Sequence, residues 1–171
     1  MNRFPTTILA LSLAGALHAQ TANPLSTELK TAYTRVKTNF MKAAEKMPED
    51  QYLFKPTADM QSFGERVAHI AISSIGPCSA MSGSPKTIDG KALKSKSDVV
   101  GALKDSFAAC DAVIDSLTDA DAVTMITGGR GGPRSKLATL YGLVAHDNEL
   151  YGYICVYMRL KGVVPPSSEG R

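Results

Sequence analysis

Three histidines and three cysteines carry most of the chemistry available to this sequence. His18 belongs to an N-terminal stretch expected to be removed, which leaves His69 and His146. Neutral imidazoles brought together from two rigid elements are a workable start for a divalent-metal site. Each also has a plainer reading. Glu65, His69 and Ser73 fall four apart, so His69 fits a polar helical stripe on which Glu65 is its partner. His146 has Leu150 and Tyr153 for neighbours, which suits a buried or half-buried imidazole held by packing. Cys78, Cys110 and Cys155 are odd in number, so at least one is unpaired or bridges two chains. The run Gly128-Gly129-Arg130-Gly131-Gly132-Pro133-Arg134 could turn backbone N–H groups and two arginines toward an anion. It lacks the strand and the Lys-Ser/Thr pair of a phosphate loop, so it reads as a connection. Tyr151, Tyr153 and Tyr157 stand at helical spacing and read as packing residues with wetted hydroxyls.

The chain that must position these groups begins with a basic start, an apolar stretch from Ile8 to Leu17 and small residues up to Ala19. That pattern predicts a signal peptide over residues 1–19 and a periplasmic or secreted product. The apolar stretch is shorter than the roughly 20 residues of a membrane span, so no membrane association is expected after cleavage. Gln20 and Thr21 follow where a lipid-bearing Cys would stand. Loss of Arg3 lowers the formal charge of +3 by one, which argues against nucleic acid as a partner. The roughly 150 residues that remain suit one domain with one core, here 23–168.

Helical periodicity accounts for most of that domain. Asn23 and Pro24 suit a helix start, Asn as the cap and Pro at the first position, and Leu25, Leu29, Tyr33, Val36, Phe40, Ala44 and Met47 form one apolar stripe ending at Pro48. Ser62 with Glu65 is a capping box for a second helix whose stripe runs through Phe63, Val67, Ile70, Ser74, Cys78 and Met81. A Lys-rich loop leads to a third helix, capped by Ser95 or Ser97, with Val99, Leu103, Phe107, Cys110, Ile114 and Leu117 on one face. Asp119 and Asp121 mark a turn. Ser135 opens a fourth helix that runs to about Lys161 and stops at Gly162. It is apolar on two faces, so it is expected to be enclosed on both, within a bundle or between a bundle and a second subunit. No stretch alternates as a strand would. The expected fold is all-α, a four-helix bundle with long inter-helix loops.

Cys78 and Cys110 both lie on core stripes. Antiparallel packing of the second and third helices, with Met81 opposite Phe107, also sets the two cysteines opposite one another. Export favours a disulfide there, worth roughly 3–4 kcal/mol in the chain-entropy model. The plainer reading is a pair of buried thiols acting as small hydrophobes.

The segment Ala145-His146-Asp147-Asn148-Glu149-Leu150-Tyr151-Gly152, with Tyr157 to Ser168 after it, resembles the last helix and tail of the DinB-like (DinB/YfiT) proteins. Phe54-Lys55-Pro56 and Phe63 to Ile70 resemble the entry to the second helix of the same family. The resemblance implies a four-helix bundle, often dimeric, and a divalent metal such as zinc or nickel on three histidines. His69 matches the first ligand and His146 the second; the third position holds Leu150. A leucine offers no lone pair, so binding of zinc or nickel should be weak or absent. Glu149 is the nearest carboxylate, but it points about 100° away around the helix. Metal-activated thiol transfer, the activity of relatives with complete sites, loses its basis with that ligand. Two readings stand: an exported protein of metal-dependent transferase or hydrolase ancestry with a degenerate site of His69 and His146 around a divalent ion, and a non-catalytic bundle that binds a small ligand or forms a homodimer.

Overall fold

The computed structural model describes residues 22–127 and 132–170. Residues 1–19, expected to be a signal peptide, and the centre of the glycine loop lie outside the described residues. Long amphipathic segments become α1 (Pro24–Lys46), α2 (Phe63–Met81) and α3 (Lys96–Ser116), followed by one short turn, α4 (Asp119–Ala122), and α5 (Lys136–Leu160).

Local capping explains most of these bounds. The Ser62 hydroxyl accepts from the Glu65 amide while the Glu65 carboxylate accepts from the Ser62 amide. Ser95 and Asp98 repeat that box on α3, and Ser135 accepts from the Ala138 amide on α5. Gly162, at φ 70°, ends α5: its N–H donates to Arg159 and that of Val163 to Met158. The start of α1 departs from expectation. Asn23 adopts the left-handed region and its side chain caps nothing on its own helix. The cap comes from Asp119, whose carboxylate accepts from the Leu25 and Ser26 amides at 3.1 and 2.9 Å and from the Ser26 hydroxyl at 3.0 Å. Asn23 returns the bond by accepting from the Asp119 amide. Thr118 caps α4, so the turn expected at Asp119 and Asp121 is a single helical one.

The direction of the helices corrects the antiparallel packing expected for α2 and α3. The Gly64 amide donates to the Tyr52 carbonyl, and Lys96 lies over the Tyr52 ring, so both helices start at the same end of the bundle. Both then run to the bond between Cys78 and Cys110, so they are parallel, related by a sequence separation of 32 residues. Residues 82–95 must therefore travel back along the bundle. The Tyr157 hydroxyl donates to the Gln61 carbonyl and His146 meets His69, which makes α5 antiparallel to α2. The order is up, down, down, up.

A short antiparallel ladder, β1 (Met125–Ile126) with β2 (Arg134–Ser135), flanks the glycine loop where no strand was expected. Phe40, Phe63, Phe107, Leu103, Ile154 and Tyr157 are fully buried at the centre. The two-sided enclosure expected for α5 is incomplete: Leu150 and Tyr157 are buried, whereas Tyr153 and Leu160 are 43 and 58 % exposed. Among the described residues no helix is long and apolar enough to cross a membrane.

Candidate ligand site

The antiparallel contact of α2 and α5 brings together the two histidines that are 77 positions apart in the chain. Their Nε2 atoms stand 3.2 Å apart and the rings meet edge to face. His69 is exposed and His146 half-buried, so the pair opens to solvent. Burial pushes the His69 imidazole below its usual value, and the neighbouring charges of His146 and Arg66 push it the same way.

Glu65 does not partner His69. Its carboxylate is taken by the Ser62 amide and by Lys55. Glu149 is also occupied, accepting from the Tyr153 hydroxyl at 3.1 Å. Leu150 lies one turn beyond His146 and is buried, so it places hydrocarbon where a further donor would be needed. The Arg66 guanidinium lies over the Tyr153 ring, 5.3 Å from its centroid.

The spacing of the imidazoles fits one divalent ion. Two metal–nitrogen bonds of about 2.05 Å at a tetrahedral angle hold their nitrogens roughly 3.3 Å apart. The number of donors does not fit a retained centre. Among the described residues no group of three or more His, Cys, Asp or Glu side chains could hold a metal ion. A catalytic zinc rests on three protein ligands. Without a metal, an Nε2–H on one ring can donate to the bare Nε2 of the other.

Cys78 and Cys110 are joined by a disulfide within the core, and Cys155 is free and half-buried. Cys155 lies beside the Tyr151 hydroxyl, which accepts from the Ser167 amide, so the C-terminal segment covers this corner of α5. Of the tyrosines, Tyr157 packs its ring against Phe54 and only Tyr153 joins the cleft directly through Arg66.

Sequence reasoning missed Asp147. This residue is fully buried, and neither carboxylate oxygen has a hydrogen-bond partner among the described residues. Burial pushes its carboxyl up to about 7. The hydroxyls of Ser74 and Ser106, each one turn before a bridged cysteine, are likewise buried without a partner. The signal was the alternation on α5: Val144, Asp147, Tyr151 and Ile154 share the core stripe, which puts a carboxylate inside it. Sequence reasoning also passed over Arg66, whose importance depends on which face of α2 meets α5.

Comparison with known proteins agrees with the architecture. A DinB-like protein from Bacillus cereus ATCC 10987 superposes with a TM-score of 0.68 at 19 % identity, over 82 % of this chain and 95 % of that one. A conserved protein from Enterococcus faecalis superposes with a TM-score of 0.64 at 15 % identity, over 79 and 95 % of the two chains. A mutant of a mycothiol-dependent maleylpyruvate isomerase gives 0.58 at 13 % identity, and there the match spans 74 % of this chain and 60 % of the isomerase. Identities this low establish a shared fold. No curated protein matches the sequence at a significant level. The sequence model of the DinB superfamily matches residues 32–154, from the first helix through most of the last, and this chain belongs to that superfamily.

Proposed function

We propose that the protein binds a small ligand in the open cleft between α2 and α5, with His69 and His146 as the polar contacts and without a firmly held metal. The observation that carries this reading is the 3.2 Å approach of the two Nε2 atoms above a buried Leu150. Two converging imidazoles offer a donor and an acceptor to a ligand, or two nitrogens to a divalent ion whose other positions go to solvent. Leu150 removes the third nitrogen that would retain such an ion. Likeness to a mycothiol-dependent isomerase supports an ancestry in metal-assisted thiol chemistry; the missing donor argues that this chain has left it. Export through the segment 1–19 is part of the same proposal, supported by the basic start and the apolar stretch that follows it.

Zinc and nickel retention tests the reading. Tag-free parent protein should lose both metals on desalting, while Leu150→His should keep about one zinc per chain, because it completes the three-nitrogen set. Stoichiometric metal on the desalted parent would overturn the proposal.

A homodimer is a second reading, favoured by Tyr153, Val156 and Leu160, which are exposed along one face of α5. Light scattering should then give twice the chain mass, and Val156→Glu should return the monomer.

A further inference from the structure

We infer that the ligand of this cleft is anionic, and that Arg66 is the residue that selects it. The inference rests on the proposed role of the His69–His146 pair as a ligand site and names the chemical class of that ligand.

Because α2 and α5 are antiparallel, one turn back from His69 on α2 lies level with one turn beyond His146 on α5. Arg66 occupies the first of these places, and Leu150, where a third metal ligand would stand, the second. Leu150 is buried, so the outer part of that position belongs to Arg66. The cleft therefore holds a permanent cation beside two neutral nitrogens. That arrangement works against a second cation and in favour of an anion.

Three details point the same way. Arg66 makes no salt bridge with any carboxylate among the described residues; Glu65 goes to Lys55 and Ser62, and Glu149 to Tyr153. Its Nε is buried and without a hydrogen-bond partner, so the guanidinium carries a desolvation cost that a nearby anion would offset through its charge. The Tyr153 ring lies over the guanidinium, 5.3 Å from its centroid, which restricts its orientation and leaves the two terminal nitrogens as the available donors. A planar fork of N–H donors matches a carboxylate or phosphate with two parallel hydrogen bonds. His69 and His146 then stand one turn away, placed to hydrogen-bond a second polar group of the same molecule.

Succinate and its uncharged counterpart succinamide provide the test, read from the 15N-labelled imidazole signals of His69 and His146. Succinate should shift both imidazoles and bind at least about tenfold more tightly than succinamide, the ratio that one charge-assisted hydrogen bond gives. Arg66→Gln should bring succinate down to the level of succinamide. Equal affinity of the two compounds for the parent protein would overturn the inference without recourse to any variant. Zinc alone, added in a parallel titration, separates the two layers of the argument. Imidazoles that respond to zinc but not to succinate would leave the two-histidine site standing and remove its anion selectivity; imidazoles that respond to neither would remove both.

Discussion

Asp147 is the residue whose placement costs the fold most. A fully buried carboxylate on the same stripe as Val144, Tyr151 and Ile154, with no donor among the described residues, loses its hydration and gains no hydrogen bond in return. Replacing it with leucine, which keeps the same branching in an apolar though bulkier side chain, should raise the melting temperature, by an amount corresponding to about 1–3 kcal/mol. A lower melting temperature for Asp147→Leu would contradict that cost. The two histidines differ from Asp147 in opening to solvent, with their Nε2 atoms 3.2 Å apart, while Leu150 beside them is buried. The identities of these residues were readable from the chain. That Asp147 lies on the core stripe was also readable, but it was masked by the more conspicuous histidine beside it. The role of Arg66 was not, because nothing local to residues 63–70 says which partner helix that face meets.

At the scale of elements, the structure exchanges caps between distant segments. Asp119 serves the N-terminus of α1 from across the chain, where the exposed amides and the helix dipole both favour a carboxylate. Partial desolvation raises the proton affinity of Asp119, but the Ser26 and Leu25 amides and the Ser26 hydroxyl outweigh it and hold the carboxyl below its usual value. A depressed folded-state value means that the unfolded chain binds more protons in the acid range. The contribution of Asp119 is therefore present above the unfolded value, about 3.9, and is lost as the pH falls through the folded one. Asp119→Ala should lower the melting temperature at pH 7, and the gap between variant and parent should close on acidification through that window. A gap that stays constant with pH would contradict the capping role. Helix bounds at Ser62, Ser95 and Ser135 were legible because each cap is within three residues of the amide it serves. The cap on α1 was not, because its partner arrives through tertiary structure.

For the molecule as a whole, topology was the hardest thing to read. Stripes on α2 and α3 are compatible with either relative direction, and Cys78 faces Cys110 in both; the crossover of 82–95 decides for parallel. The disulfide ties together the two helices that the long return segment joins, and it should contribute about 4 kcal/mol by restricting the unfolded chain. Cys78→Ala with Cys110→Ala should lower the denaturation midpoint accordingly, and reducing agent should shift the parent protein but leave the double variant unmoved. The same topology makes α2 and α5 antiparallel neighbours, and every functional statement above depends on their contact at His69 and His146. Nitrogen-15 NMR of the two imidazoles in metal-free protein tests that contact most directly. The account predicts that His146→Ala moves the Nε2 signal of His69, and that in the parent protein one Nε2 is protonated while its partner is bare. Imidazole signals of His69 that are indifferent to the loss of His146 would contradict it.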